Sequence, residues 1–198
     1  SSLISITLRN SVTTIVSGTF RDCSSLTSVT IPNSVTAIGP LAFYCCSSLT
    51  SVTIPNSVTT IDSEAFRNCS SLNSITIPNS ATTIGFRAFS SCNSLKDIYC
   101  LADSVPNTKS DVFYGVEQSS ATLHVPASSI QAYSTTSPWS GFGNIVAIGE
   151  GDGIEQLTSE TFTNPTAYDL SGRRTANKQK GINLLRNAEG RVKKVLRR

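Results

Sequence analysis

The chain contains 198 residues, of which 38% are hydrophobic and 15% are charged, and its formal net charge is +3. Apolar residues of this abundance, combined with so few charges, exclude a charge-driven disordered chain. No apolar run approaches the roughly 20 residues that cross a bilayer, so no transmembrane segment is predicted.

The chain opens on "SSLISITLRNSV", which lacks the basic end and apolar stretch of a signal peptide. Ser1 and Ser2 match the middle of a "CSSL" motif that recurs downstream. We therefore expect the sequence to begin inside a repeat and to be a fragment, with any export signal outside it.

Residues 1–94 form four repeats of 23 residues. "CSSLTSVTIPNSV" occurs at 23–35, recurs unchanged at 46–58, and returns as "CSSLNSITIPNSA" at 69–81. The leucines of the motif recur at the same interval, at Leu3, Leu26, Leu49, Leu72 and Leu95. Self-similarity at such a period predicts a solenoid, a propeller or an array.

Each repeat begins with a predicted strand. In the second copy, Val29 and Ile31 alternate with Ser28 and Thr30, which is the period of a strand with one buried face. Pro32 follows and ends the strand, because proline has no amide hydrogen to donate. The apolar residues predict the core, and the Ser and Thr residues predict a polar sheet face.

The second half of each repeat predicts a turn and a short helical turn. Gly39, matched by Gly85 two copies later, predicts a turn with an unusual backbone angle. Phe43 and Cys46 lie three residues apart, so both fall on one face of a short helical turn. A single unit cannot bury its apolar residues alone, so the units are predicted to stack as coils.

These residues resemble a known family. "LTSVTIPNSVTAIGPLAFYCCSS" is similar to the 23-residue BspA-like leucine-rich repeat, L-x-x-[VI]-x-[IL]-P-x-S-V-x-x-I-G-x-x-A-F-x-x-C, with Arg9, Val16 and Asp62 as the main departures. The resemblance implies a right-handed α/β solenoid, rich in β-structure, with short convex helical turns. It also implies a secreted protein or one on the outer surface of Gram-negative anaerobic bacteria, where such arrays serve as adhesins.

Residues 95–148 predict a degenerate repeat and a C-terminal cap. Leu123, Val125 and Pro126 stand as Val29, Ile31 and Pro32 stand in a full repeat. Irregular terminal repeats are expected because the last coil must cover an open apolar end. The predicted lid consists of Ile130, Tyr133, Trp139, Phe142, Ile145, Val146 and Ile148.

Residues 149–153, "GEGDG", predict a linker, and residues 154–198 predict a small basic β segment whose last two strands form a hairpin that turns at residues 188–190. Residues 151–198 hold 10 basic and 5 acidic side chains, against 6 and 8 in residues 1–150. We attribute this asymmetry to solubility or a strand surface rather than to nucleic acid. "YDLSGRR", "KGI" and "KKVL" resemble the C-terminal sorting domain of type IX secretion; the alternative is a β cap without a sorting role.

No residue pattern indicates catalysis, a metal site or a cofactor. His124, the only histidine, is expected to project into solvent from a strand, and it has no second histidine or acidic cluster as a fellow ligand. An isolated histidine is also poor support for a serine nucleophile, so an enzyme is not predicted.

The six cysteines predict thiols rather than disulfides. Stacked side chains repeat at about 4.8 Å, which exceeds the roughly 3.8 Å that joins the Cβ atoms of a disulfide. Cys45 differs from the others because its counterparts Asp22, Asn68 and Ser91 are polar. It is therefore predicted to be the one exposed thiol.

Binding is the predicted function, and a structural spacer without a ligand is the alternative. The expected partner is an extracellular protein or glycan on a host or neighbouring cell. Leucine-rich repeats usually bind through the concave sheet face, here Ser5, Thr7, Ser28, Thr30, Ser51, Thr53, Ser74, Thr76, Asp97 and Tyr99.

Two further features of the surface are predicted. Asp103-Ser104-Val105 resembles a short bacterial O-glycosylation acceptor, with Ser104 as the modified residue. Leu3, Ile6 and Leu8 are expected to leave apolar surface on the first coil, which predicts self-association there.

Overall fold

The computed structural model describes residues 2–109 and 111–149 in full, and the backbone of four strands within 166–197. The chain divides into two compact units, Ser1–Gly149 and Glu150–Arg198. In the part of the first unit that the structure describes, the strands are β1 (Ser5–Thr7), β2 (Thr14–Ile15), β3 (Ser28–Thr30), β4 (Ala37–Ile38), β5 (Ser51–Thr53), β6 (Thr60–Ile61), β7 (Ser74–Ile77), β8 (Thr83–Ile84), β9 (Asp97–Cys100), β10 (Asn107–Thr108), β11 (Thr122–Val125) and β12 (Asn144–Ala147).

The odd-numbered strands stack in parallel, in the 23-residue register that the sequence predicts. Ser5 pairs with Ser28, and Ser74 pairs with both Ser51 and Asp97. Strands β5, β7, β9, β11 and β12 form one sheet in that order, and β1 and β3 form another. The predicted leucine-rich repeat solenoid, with one such strand per repeat, is therefore confirmed.

The ladder is interrupted between β3 and β5, although their sequences are identical. These two strands do not pair, and the amide of Thr50 lies 3.5 Å from the carbonyl oxygen of Thr27. The corresponding bond one coil later, from Asn73 to Thr50, is 3.0 Å long. The even-numbered strands β2, β4, β6, β8 and β10 form a continuous parallel sheet across the same junction.

The predicted short helical turns are consecutive β-turns instead of α-helix. In the second coil the amides of Ala42, Tyr44 and Cys46 each donate to the carbonyl three residues earlier, at 3.1–3.3 Å. The amides between them, of Phe43 and Cys45, donate to the next coil at 2.7 and 2.9 Å. Every second amide of the segment therefore bonds to the neighbouring coil instead of within its own turn, and these bonds join the turn segments of successive coils.

The unusual backbone angles lie two and six residues beyond the predicted glycine. Positive φ values occur at Leu41 (56°) and Cys45 (58°), whereas Gly39 is required by a close approach. A Cβ atom on Gly39 would lie 2.8 Å from the carbonyl oxygen of Ile15 in the preceding coil, and one on Gly85 would lie 2.5 Å from the amide nitrogen of Ser63. Glycine therefore lets these coils stack closely.

The core consists of columns of equivalent residues that run through the coils. Phenylalanine rings form the largest column: Phe20, Phe43, Phe66, Phe89 and Phe113 stack with centroid distances of 5.1, 5.0, 5.5 and 5.8 Å. Each ring is buried, and offset aromatic stacking at this distance is favourable beyond its burial alone.

The C-terminal cap closes this column. It contains helix α1 (Ile130–Thr135), short 3₁₀ turns at Gln118–Ser120, Ala127–Ser129 and Trp139–Gly141, and the final parallel pair β11 and β12. Trp139 and Phe142 meet the ring of Phe113 edge-on at 5.2 and 5.1 Å. Tyr133 is buried as predicted, whereas Val146 lies on the sheet face, paired with His124.

The second unit contains a four-stranded antiparallel sheet. Its strands are β13 (Thr166–Tyr168), β14 (Arg174–Thr175), β15 (Gly181–Arg186) and β16 (Val192–Arg197), in the order β14-β13-β15-β16. The pairing of β15 with β16, in which Gly181 faces Arg197, is the predicted final hairpin. The predicted turn at residues 188–190 lies outside the described residues.

Candidate binding face

Two columns of polar side chains run across the odd-numbered strands. The strands carry the predicted face residues in two columns: Ser5, Ser28, Ser51, Ser74 and Asp97 in the first, and Thr7, Thr30, Thr53, Thr76 and Tyr99 in the second. The register of β11 and β12 adds Thr122 and Asn144 to the first column and His124 and Val146 to the second. We call these two columns the ladder face. Its first six Ser and Thr residues are exposed and the rest of its predicted residues are half-buried.

The hydroxyl groups of the ladder face differ in their bonding from the hydroxyl columns that join the coils. In the described part of the chain, the first four coils place eight Ser and Thr residues on the ladder face, and none of these eight makes a side-chain hydrogen bond to protein. In contrast, the hydroxyls of Ser34, Ser57 and Ser80 donate to carbonyl groups of the preceding coil at 2.6–2.7 Å. These eight hydroxyl groups therefore keep their bonding capacity for a ligand or water.

The ladder face changes character at coils five and six. The imidazole Nε2 of His124 lies 3.1 Å from Oδ1 of Asp97, and its ring stacks on that of Tyr99 with centroids 4.2 Å apart at 18°. The side chain of His124 is 13% exposed, and that of Asp97 is 48% exposed. The expectation that His124 projects into solvent is therefore wrong, because the neighbouring ring and carboxylate enclose it.

His124 is a candidate binding residue that the sequence interpretation missed, although a signal was present. Leu123 and Val125 align with Val29 and Ile31, and this alignment places His124 in the column of Thr30. The register then sets it beside Tyr99 of the preceding strand.

Cys45 lies on the opposite side of the coil, in a shallow polar groove. It is half-buried, and the side-chain amide of Asn68 donates to its sulfur at 3.4 Å. Equivalent residues of four successive coils line the groove: Asp22, Ser24, Cys45, Ser47, Asn68, Ser70, Ser91 and Asn93. Rapid labelling of this thiol stays a prediction.

The other five cysteines are buried, and all six are free thiols. The thiols of Cys46, Cys69 and Cys92 donate to phenylalanine carbonyl groups 26 residues earlier, at 3.1–3.2 Å. Burial is the main cause that raises the pKa of Cys46 from 9.0 to about 12, and it raises that of Cys100 to about 11. These thiols resist ionisation, which makes them inert.

The remaining predicted surface features have clear positions. Ser104 is exposed in a bend between β9 and β10. Leu3, Ile6 and Leu8 are half-buried against the core, whereas Ile4 and Val16 are 64% and 63% exposed. The first coil therefore carries apolar side chains on its surface, and self-association there stays a prediction.

Among the residues that the structure describes, no group of three His, Cys, Asp or Glu side chains could hold a metal ion. Within the same residues, no helix combines the length and apolar character needed to cross a membrane.

The chain is similar to known repeat proteins. Residues 1–134 match the BspA type Leucine rich repeat region in six copies. One similar crystal structure is that of the leucine-rich repeat protein of T. pallidum, TpLRR, with a sequence identity of 31% and a TM-score of 0.57. The match covers 63% of this chain and 59% of TpLRR. The crystal structure of a leucine-rich repeat protein from Bacteroides ovatus has a sequence identity of 22% and a TM-score of 0.50. That match covers 73% of this chain and 43% of the B. ovatus chain. No curated protein matches the sequence.

Proposed function

Because the chain belongs to the BspA-type leucine-rich repeat family, we propose that it is a non-enzymatic binding module of a secreted or surface-exposed bacterial protein. Its ladder face engages an extracellular protein or glycan on a host or neighbouring cell. The chain spans only 59% of TpLRR and 43% of the B. ovatus protein, so other segments of such proteins can add functions of their own.

The bonding of the hydroxyl groups carries this proposal. The sequence places Ser and Thr in several columns, and other columns such as Ser34, Ser57 and Ser80 use their hydroxyls to join the coils. The ladder face uses none of its hydroxyls in this way over four coils. It therefore offers two adjacent columns of hydroxyl groups whose bonding capacity is not used between the coils, which suits a binding surface.

Substitution on the ladder face tests the proposal. We expect a Thr30→Arg, Thr53→Arg double variant to lose binding to cultured epithelial cells and to immobilised matrix proteins or mucin, because two long cationic side chains would cover the face. Asn33→Arg with Asn56→Arg, at exposed turn positions, is the matched control with the same added charge.

Flow cytometry and surface plasmon resonance measure the two kinds of binding. A wild-type chain that binds none of these targets would favour the structural spacer instead. Equal loss in both double variants would contradict the ladder face as the binding surface.

We also propose that residues 154–198 act as a sorting signal for type IX secretion, on the resemblance of "YDLSGRR" and "KKVL" described above. The test fuses residues 154–198 to a fluorescent protein in a bacterium that has this route. Export of the fusion, lost when the route is disabled, is the expected result. Retention of the fusion inside the cell would support a β cap without a sorting role.

A further inference from the structure

We infer that the ligand of the ladder face is an uncharged linear glycan that lies along the solenoid axis and is anchored at Asp97, Tyr99 and His124. This inference rests on the proposed function, since it requires that the ladder face binds. It adds the chemical class of the ligand, its direction across the coils and the residues that fix its position.

The charge of the ladder face selects the ligand class. Its two columns contain one carboxylate, that of Asp97, and no lysine or arginine. A polyanion such as a sulfated glycan would meet no positive partner there and one negative group, which disfavours it. Hydroxyl groups both donate and accept hydrogen bonds, so the Ser and Thr columns match a ligand that is itself rich in hydroxyls.

The spacing of the coils selects the direction and distinguishes a glycan from a peptide. Neighbouring strands lie about 4.8 Å apart, so each column repeats its hydroxyl at about that step. An extended β-linked hexose is close to this length, so one sugar ring can face each coil. An extended peptide rises about 3.3 Å per residue and points every second side chain to the same side. Its side chains on one face therefore repeat at roughly 6.6 Å, which does not match the spacing of the coils.

The cluster at coils five and six supplies the fixed point. His124 lies with Nε2 3.1 Å from Oδ1 of Asp97, which orients the carboxylate, while nearly half of the Asp97 side chain is exposed. An oriented carboxylate accepts strong hydrogen bonds from neighbouring hydroxyls of one sugar. Stacking of the Tyr99 and His124 rings at 4.2 Å holds both rings rigid, which reduces the entropy lost on binding.

The experiment measures affinity by calorimetry on the full chain. The probes are neutral linear hexasaccharides of β-linked glucose, mannose and xylose, together with their disaccharides, a heparin hexasaccharide and hexalysine. At least one neutral hexasaccharide is expected to bind, and its disaccharide is expected to bind at least about tenfold more weakly because it spans fewer coils. Heparin and hexalysine are expected not to bind.

Substitutions then locate the anchor. Asp97→Asn and His124→Gln should each weaken hexasaccharide binding about tenfold, the effect of losing a hydrogen bond to a charged group. Asp103→Asn, an exposed acidic residue off the ladder face, is the charge-matched control and should change nothing. Circular dichroism of each variant establishes that it is folded.

Each other outcome decides between the inference and the proposed function. If hexalysine binds and Asp97→Asn abolishes it, the cluster is a cation site and the glycan inference is overturned. If no hexasaccharide binds at millimolar concentration while cells or matrix proteins still bind through the ladder face, the inference fails and the proposed function stands. Equal affinity for disaccharide and hexasaccharide would overturn the axial direction.

Discussion

Phe66 lies at the centre of the phenylalanine column, and replacing it tests how the stack stabilises the solenoid. Its ring stacks on two neighbours, Phe43 at 5.0 Å and Phe89 at 5.5 Å, with interplanar angles of 5° and 10°. Phe20, at the N-terminal end of the column, stacks on one neighbour, Phe43, at 5.1 Å. Both side chains are buried, so the two sites differ mainly in the number of aromatic partners.

The expected loss of stability follows from that difference. An aromatic pair contributes about 0.5–1.5 kcal/mol beyond its burial, so Phe66→Leu should lose about 1–3 kcal/mol from its two pairs and Phe20→Leu about half of that. The change of shape from Phe to Leu costs both sites a similar amount, less than about 1.5 kcal/mol. Phe66→Leu should therefore reduce the free energy of unfolding by about 0.5–1.5 kcal/mol more than Phe20→Leu.

Urea denaturation followed by circular dichroism measures both variants, with the midpoint and slope compared to the parent chain. Phe86→Leu provides the control, because this phenylalanine is 43% exposed and lies outside the column, and its loss should stay below about 1 kcal/mol. A Phe20→Leu variant that loses as much stability as Phe66→Leu would refute the additive contribution of stacked pairs.

Four further predictions follow from the same coils. Cys45 should be the only thiol that a water-soluble maleimide labels rapidly in the native chain, and mass spectrometry that finds several labelled cysteines would contradict it. Burial raises the pKa values of Cys46 and Cys92 to about 12. The same thiols ionise at lower pH in the unfolded chain, so the free energy of unfolding should fall as pH rises from about 9 towards 12. Urea titrations at alkaline pH would show no such fall if these thiols were exposed. Ser91 has a φ of 58°. Ser91→Gly should raise the free energy of unfolding by about 0.5 kcal/mol, because relief of the left-handed strain slightly exceeds the entropy cost of glycine. A lower midpoint of urea denaturation would contradict this prediction. Ile4→Thr, which introduces the residue found at the same position of the second coil, should reduce self-association in sedimentation velocity, and an unchanged dimer fraction would exclude Ile4 from that contact.

The strands, the core and most of the ladder face could be predicted because side-chain periodicity encodes them. Val29 and Ile31 alternate with polar residues, and the 23-residue interval fixes which strand lies beside which. The residues Asp97 and Tyr99 were found in the same way, by counting forward from Ser74 and Thr76. Repetition of a chain acts as an alignment within a single sequence, so positions that stay apolar in every copy identify the core.

The form of the turn segments could not be predicted in the same way. A spacing of three between Phe43 and Cys46 fits a helical turn and a pair of consecutive β-turns equally well. The deciding feature is a left-handed backbone at Leu41 and Cys45, and neither residue type signals it, although their counterparts Gly18, Asp22 and Asn68 are types that favour it. Bonds to the neighbouring coil impose that conformation, and such bonds are a property of the stack instead of the local sequence.

The interruption between β3 and β5 had no sequence signal either. The stretch from Cys23 to Val35 is identical to that from Cys46 to Val58, so the unpaired junction joins two identical strands. The paired junction that follows joins β5 to β7, where Asn73 and Ile75 replace Thr50 and Val52. Identity between two neighbouring copies does not by itself predict a break in the ladder.

The bonds between coils also have a consequence for how such a gene can change. The amides of Thr36, Thr59 and Thr82 donate to Thr13, Thr36 and Thr59 in turn at 2.9–3.0 Å, so each coil presents the same donors on one side and the same acceptors on the other. Insertion or deletion of a whole 23-residue unit would leave every one of these bonds made, whereas a shorter change would leave backbone groups unpaired. Unequal recombination between the near-identical stretches would therefore lengthen or shorten the ladder face by whole coils. Variants of one lineage would then differ in the number of coils before they differ in the residues that the face presents.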